Sequence, residues 1–518
     1  MYEFNIGIRF ENIVRQYPNN IAIKFNKSDS ISYEKLNGKV NQLARYLLKK
    51  GVDQHDVVGI TGVKSVNTYA YMLACLKIGA AYSILDDKSP VERLSRIIST
   101  CLPKALLIDS ALKKSLKKVI KKLKITVINS QARGFENRIK KYDKANLRLT
   151  HKITGSNPAY IMFTSGSTGF PKGALITHNN VLNLISWSIK TYNILPTDIL
   201  TNVNPLYFDN SVFDFYSALF SGACLVPFPK DIVANPTKLV SQIDKFKCTL
   251  WFSVPSLLIY LDTMKALSKK NMKFIKRFIF GGEGYPKPKL KHLYDMYSDR
   301  SDIFNVYGPT ECTCICSSYK ITSRDFTDLN SLPPLGKIAN NFSYLILNNK
   351  GNKVAPNEIG ELCLLGPNVG KGYYNDAQRT REKFIQNPYN TRYSEVMYKT
   401  GDLVKYNAED DYIYFVGRKD NQIKHMGYRI ELDEIESALN RLDYIAEAAV
   451  LHGVIRKLSQ IIAIVSLKDV IDEKKMRDDL KQMIPDYMIP SRIFVEKVLP
   501  KNPNGKIDRR KLAKTYLT

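Results

Sequence analysis

The sequence predicts an α/β protein with a smaller α+β unit at its C-terminal end, and three observations predict it. Apolar runs of strand length alternate with helical patterns through most of the first 400 residues. Several runs end in Gly, Pro or Ser before a helix-like segment, which places ligand loops at strand C-terminal ends. From about residue 335 the strands shorten between turn signals, and the last hundred or so residues carry helix and strand patterning of their own.

Five runs stand out: "DVVGITGV" (56–63), "AYIMFTSG" (159–166), "CTLWFSVP" (248–255), "RFIFGG" (277–282) and "SDIFNVYG" (301–308). Each is short and nearly all apolar, as expected of strands covered on both faces. Between the first two lies "LKKSLKKVIKKLK" (112–124). There Leu112, Leu116, Val119, Ile120 and Leu123 recur at helical spacing beneath the lysines, predicting an amphipathic helix packed on the core. Further on, "YLILNNKGNKVAPNEIGELCLLG" reads as a hairpin region, followed by "YIYFVGRKDNQIK" (412–424). The acidic start of "ELDEIESALNRL" suits a helix N-terminus, and "AEAAVLHGV" and "QIIAIVSL" supply strands for the terminal unit. The charged turn Arg418–Asp420 marks the expected boundary, giving units 1–418 and 419–518.

With 518 residues and 44% hydrophobic content the chain can bury a sizeable core. Its formal charge of +28 comes mostly from lysines spread along the chain; residues 419–518 hold 19 Lys and Arg against 15 Asp and Glu, so nearly all the excess lies before them. Such charge admits nucleic acid, membrane surface or acidic protein partners. Zinc-finger spacings and RNA-binding aromatic signatures are missing, so no nucleic acid is expected. The start "MYEFNIGIRFENIVRQY" has an early Glu and no continuous apolar run, unlike a signal peptide. No 18 apolar residues run together, so no membrane insertion is expected. Eight scattered cysteines make no disulfide framework, and a reducing, cytoplasmic location is the simpler reading. The six histidines show neither HExxH nor clustering, against a metal-dependent hydrolase.

The most informative stretch is "YIMFTSGSTGFPKGALITH" (160–178), an apolar strand running into ten residues with three Gly, two Ser and two Thr, then a helix-like pattern. A loop of this kind turns backbone N–H groups and hydroxyls onto a polyphosphate, with Lys172 as counter-charge. It lacks the GK[ST] of the common phosphate loop and fails the dinucleotide fingerprint.

"TSGSTGFPKG" resembles the phosphate loop of the acyl-adenylate-forming enzymes, which include acyl-CoA synthetases, luciferases and the adenylation domains of nonribosomal peptide synthesis. Matching motifs follow in order: "FDNSVFDF" (208–215), "NVYGPTE" (305–311), "YKTGDL" (398–403), "GRKDNQIKHMGYRIELDEIE" (417–436) and "PNGKIDRR" (503–510). The resemblance covers essentially the whole chain. Within the family it is greatest to stand-alone amino-acid–carrier-protein ligases, including those for D-alanine. It implies a large N-terminal unit of αβαβα layers plus a β-barrel-like subdomain, with a small mobile C-terminal domain.

The resemblance also implies roles. Forming an acyl-adenylate brings a carboxylate onto the α-phosphorus of ATP, two anions together, so positive charge and in-line geometry are needed. Lys506 matches the lysine bridging carboxylate and α-phosphate, Thr310 an α-phosphate ligand and Glu311 the ligand of Mg²⁺. ATP would further be held by Thr164, Ser165, Gly166, Ser167, Thr168, Gly169 and Lys172 in the loop and by Gly282. Tyr307 would stack on adenine beside Asn305 and Phe415, and Asp402 would accept the ribose hydroxyls with Arg418 assisting. Asp420 matches the hinge about which the small domain rotates, withdrawing Lys506 and presenting "HMGYR" (425–429) for thioester formation.

Asp209 stands where amino-acid-activating members hold the substrate ammonium. The matching pocket positions are Asn210, Phe213, Ser253, Ile279, Gly281, Val306, Cys314 and Ile315, mostly apolar and without a second formal charge. Members selecting D-alanine carry Cys where this chain has Gly281, which implies room for a larger or L-configured side chain. The expected substrate is an uncharged small-to-medium L-amino acid, with D-alanine second. The chain ends 12 residues after Lys506, so a separate phosphopantetheinylated carrier protein is the expected acceptor and the enzyme is expected to be a monomer. The alternatives are an acyl-CoA synthetase or fatty-acyl-AMP ligase, which would lack the Asp209 charge, and a non-catalytic basic scaffold. Finally, in "YGPTECTCICSS" (307–318) the alternating Cys312, Cys314 and Cys316 match a β-strand. They lack the paired CxxC spacing of zinc sites; Cys314 is expected in the pocket, Cys312 and Cys316 in the core.

Overall fold

The computed structural model describes all residues except 1–2, 27, 62–63, 110–113, 167–169, 341, 456–457, 470, 503–506 and 518. Two large sheets form its body. In the six-stranded sheet Thr126–Asn129, Ala105–Ile108, Val57–Thr61, Ala81–Leu85 and Pro158–Thr164 run parallel, and Lys172–Thr177 closes the edge antiparallel. In the nine-stranded sheet six strands run parallel: Asp302–Tyr307, Arg277–Gly281, Leu250–Ser253, Ile199–Asn202, Cys224–Pro227 and Ile21–Lys24. Antiparallel strands flank them at both edges. All five apolar runs picked from the sequence are strands of these sheets.

Helices fill the space between the sheets and cover both outer faces, the αβαβα layering expected. The main core takes Ile60, Tyr82 and Tyr160 from one sheet, Leu200, Phe252 and Ile279 from the other, and the faces of the helices between them. Helix Val66–Ile78 lies in this layer and every residue from Thr68 to Ile78 is buried, so it is covered all round rather than amphipathic. Leu239, Leu258 and Leu290 pack helices on the outer face of the larger sheet. On the outer face of the smaller sheet Val119, Ile120 and Leu123 join Leu94 and Ile98 in the core. The lysine-rich run is therefore a surface helix, Lys114–Lys122, as its spacing predicts; Leu112 lies outside the described residues.

The barrel-like subdomain is a five-stranded antiparallel sheet that includes the expected hairpin, Ser343–Leu347 against Gly360–Leu365, and ends in Val396–Asn407 against Tyr412–Arg418. After Arg418 come a hairpin, Gln422–His425 with Tyr428–Glu431, the helix Leu432–Leu439, and the three-stranded sheet of Ile445–Ile455, Leu458–Leu467 and Arg492–Val495. These pieces share a core of their own around Ile430, Ile435, Val450 and Ile464's neighbour Val465.

Candidate active site

Parallel strands deliver their last residues to one place. Leu250–Ser253, Arg277–Gly281 and Asp302–Tyr307 end side by side, with Gly281 in register with Val306. Phe252, Gly281, Gly282, Val306 and Tyr307 from these ends line a cavity of about 50 Å³. Asp209, Asn210, Thr310, Cys314, Ile315, Asp402 and Arg418, all singled out from the sequence, line the same cavity. This is the strand-end crevice where open α/β sheets bind ligands.

Asp209 sits at the start of helix Asn210–Leu219, yet its side chain does not cap the helix. One carboxylate oxygen instead accepts the Thr310 hydroxyl at 2.6 Å. Burial pushes its pKa above the usual carboxylate range, while the Thr310 hydrogen bond and the Arg429 charge pull it back. A half-buried carboxylate with one neutral donor among the described residues is under-compensated and suits a cationic ligand.

The other wall is charged. Asp402 and Arg418 are direct partners across the antiparallel pair, and the Arg418 guanidinium donates to Asp402 at 2.6 Å. The Tyr307 hydroxyl donates to the second Asp402 oxygen at 2.5 Å. Arg418 also grips Asp420 through two hydrogen bonds of 2.8 and 2.7 Å. The Lys424 ammonium lies 5.3 Å from the Tyr307 ring centre; burial lowers its pKa, and Asp402 opposes that shift.

Glu311 lies just behind the cavity and is fully buried. One oxygen accepts the Tyr373 hydroxyl and the other the Arg429 guanidinium, both at 2.7 Å, with the Lys172 ammonium 3.9 Å away. Burial alone would raise its pKa, but Arg429 and then Lys172 hold it well below the usual range. A permanently ionised oxygen ligand fits a hard divalent cation such as Mg²⁺. Arg429 and Lys172 supply the positive charge in this arrangement. Among the described residues no cluster of three or more His, Cys, Asp or Glu could hold a metal.

Other predicted residues fall elsewhere. Phe213, Ser253 and Ile279 are fully buried, outside the cavity lining. Phe213 packs edge-on against Phe252 at 4.8 Å, and the Ser253 hydroxyl is committed to the Val254 carbonyl and the Trp251 indole. Asn305 donates to the Pro334 carbonyl, and Phe415 is half-buried in the antiparallel-sheet core. Lys506, Ser167, Thr168 and Gly169 lie outside the described residues. Thr164 keeps a buried hydroxyl without a partner among the described residues.

Three expectations need correction. No strand spans Cys312–Cys316: Thr310–Cys312 is a 3-10 turn, and Thr313 and Cys314 follow with left-handed φ of 63° and 75°. The chain doubles back so tightly on Gly308 that a Cβ there would come within 2.2 Å of the Cys314 carbonyl oxygen. The side-chain placement survives: Cys314 lines the cavity, while Cys312 and Cys316 are core. Second, the glycine-rich loop does not open a helix. It returns as strand Lys172–Thr177, and helix His178–Thr191 starts only after a Thr177 capping box. Third, Gly281 does not leave free room; a Cβ there would meet the Val306 carbonyl oxygen at 2.5 Å and Val306 Cγ2 at 2.6 Å.

Sequence reasoning missed the side chains of the hairpin Gln422–Glu431. Gln422, Lys424, Gly427 and Arg429 line the cavity, and Phe252 does so from the larger sheet. The signal was an alternation. Gln422 faces Glu431 and Lys424 faces Arg429 on one side of the hairpin, while Ile423 faces Ile430 on the other. Ile430 joins the terminal core, which turns the polar face toward the site.

Known proteins share this fold and much of its sequence pattern. The description AMP-binding enzyme matches residues 10–374, and AMP-binding enzyme C-terminal domain matches 434–506. The chain belongs to the AMP-binding enzymes, adenylate-forming ligases that use ATP. It is 32% identical to zwittermicin A synthase ZmaJ of Bacillus cereus, over 97% of this chain and 94% of that protein. It is 33% identical to gramicidin S synthase 1 of Brevibacillus brevis over 98% of this chain, but spans only 44% of that relative. The fold matches the Vibrio cholerae adenylation domain AlmE, solved with glycyl-adenosine-5'-phosphate (TM-score 0.83, 22% identity, 99% of this chain and 98% of that one). It also matches PA1221, a nonribosomal peptide synthetase protein with adenylation and PCP domains (TM-score 0.84, 24% identity, 99% and 84%). Among the described residues no helix is long and apolar enough to cross a membrane.

Proposed function

We propose that this chain activates an uncharged amino acid as its aminoacyl-adenylate and passes it to the phosphopantetheine thiol of a carrier protein. The observation that carries the choice of an amino acid is Asp209, a half-buried carboxylate lining the cavity, whose one hydrogen-bond donor among the described residues is the Thr310 hydroxyl. A substrate ammonium would complete its charge. Likeness to a dimodular nonribosomal peptide synthase of Bacillus subtilis, 32% identical over 93% of this chain, supports the same reading. A small cavity, with Val306 against Gly281, favours the small end of the size range, L-amino acids first and D-alanine second.

In this reading Asp209 orients the amino group and leaves the carboxylate beside Thr310. Asp402 accepts the ribose hydroxyls while Arg418 holds it in place, and Tyr307 packs on the base. Thr164, Ser165, Gly166 and Lys172 receive the phosphates, with Ser167, Thr168 and Gly169 completing the loop. Lys506 supplies positive charge between the two reacting anions. Glu311 would hold Mg²⁺, which neutralises phosphate charge when bound. The units divide after Arg418, and Asp420 is the hinge. Amino-acid-dependent pyrophosphate exchange across the twenty standard amino acids and D-alanine tests this. Exchange with one or a few small uncharged amino acids is expected; exchange with hexanoate or benzoate and none with amino acids would overturn it.

A further inference from the structure

Two acidic side chains of the C-terminal unit press on a loop whose chemistry suits anions. Glu434, 4% exposed, accepts the Gly166 backbone N–H at 3.3 Å with one oxygen and the buried Arg93 guanidinium with the other. Glu431, equally buried, lies 3.5 Å from the Lys172 ammonium and accepts the Gln422 amide. Between them the Ser165 hydroxyl donates to the Arg429 carbonyl at 2.5 Å. Three donors of the phosphate loop, on Ser165, Gly166 and Lys172, therefore already have carboxylate and carbonyl ligands, brought from 259 to 268 residues away along the chain.

A phosphate group and a carboxylate cannot share these donors, because both are anions and the space is buried. Whatever stabilises one arrangement through such contacts opposes the other by the same factor. We propose that Glu431 and Glu434 are positioning residues for the transfer step, replacing pyrophosphate on Gly166 and Lys172. The hairpin then settles in the site only once pyrophosphate has gone, and pyrophosphate re-entering expels it. Placing Gly427 there is part of the same docking: its N–H is accepted by Glu283 at 3.0 Å, and that carboxylate also accepts the Ser256 N–H at 2.7 Å. The proposal rests on the reading of 164–172 as a phosphate loop, not on which acid or thiol is used.

The test is calorimetric titration of pyrophosphate into the wild-type chain, Glu431→Gln and Glu434→Gln. It is paired with the rate at which purified enzyme-bound adenylate acylates pantetheine. Each glutamine keeps the shape and one oxygen acceptor but removes the competing charge. Pyrophosphate should bind about fivefold or more tighter to each variant while transfer slows roughly tenfold. A role limited to structural support would weaken both, and pyrophosphate affinity that is unchanged or lower overturns the proposal. So does tighter binding with undiminished transfer. If Glu434→Gln fails to fold because Arg93 loses its charge partner, Glu431→Gln alone decides the matter. A wild-type chain that binds no pyrophosphate would instead overturn the phosphate-loop reading itself.

Discussion

The two walls of the cavity are built differently. On the wall proposed to hold the amino acid, backbone decides the shape: Gly281 lies against the Val306 carbonyl, and Cys314 is fixed by a left-handed pair of residues that fold back on Gly308. On the wall proposed to hold the nucleotide, side-chain charge decides it. Asp402 is held by Arg418 and Tyr307, Glu311 by Arg429 and Tyr373, and Lys172 by Glu431. A wall set by backbone can select a ligand by size without moving. A wall set by ion pairs can exchange partners, so a polyanion and a cation can replace protein groups there one for one. Selectivity and conformational change are thus assigned to opposite sides of one cavity.

Breaking the charged wall should have the largest effect. Asp402→Ala removes the acceptor shared by Arg418 and Tyr307 and leaves a half-paired guanidinium in a buried place, a loss of about 3 to 5 kcal/mol. We expect kcat/KM for ATP to fall at least about 100-fold, measured by pyrophosphate exchange. A loss of only a few-fold would mean that this wall tolerates an empty position.

Asp209 sharpens the comparison because it is the carboxylate of the wall proposed to hold the amino acid. Its folded pKa is raised by burial, so it takes up a proton at higher pH than an ordinary carboxylate as the solution is acidified. Amino-acid affinity, which needs the ionised form, should fall on acidification through that raised pKa and be full above it. Asp209→Asn should remove this limb of the pH profile of KM along with most of the affinity. An unchanged profile would place the controlling group elsewhere.

The backbone-set wall should respond through stability and size selection. Gly281→Ala places a methyl 2.5 Å from the Val306 carbonyl oxygen, so strand displacement should cost about 1 to 3 kcal/mol and lower the melting temperature. Val306→Ala keeps that carbonyl but removes the Cγ2 methyl beside Gly281, and should move substrate preference toward larger amino acids. The smallest change is Cys314→Ala, costing about 1 kcal/mol or less and shifting preference slightly without altering bound metal. Stoichiometric zinc lost in that variant would revive the metal reading of the three cysteines.

The strands were legible because each is a short, mostly apolar run, several of them closed by Gly or Pro as in "RFIFGG" and "CTLWFSVP". The lysine-rich helix was equally legible, since Val119, Ile120 and Leu123 keep helical spacing and do pack on the core. Local pattern failed where distant groups decide the backbone. Alternating cysteines mimic a strand, but contact with Gly308 forces Thr313 and Cys314 into the left-handed region. Glycine 281 similarly suggested space, whereas the neighbouring strand fills it. In the site, motif positions such as Asp209, Asp402 and Arg418 came together as the resemblance implied. The pairs Arg93–Glu434 and Glu311–Arg429 did not show, since 341 and 118 residues separate their members and no periodicity links them.

The most direct measurement is a structure of this chain determined with ATP and Mg²⁺ bound. The expected result leaves the backbone at Asp209, Gly281, Val306 and Cys314 in place, with Arg429 parted from Glu311 and Glu431 from Lys172. ATP bound with both of those pairs intact would contradict the division of labour between the two walls.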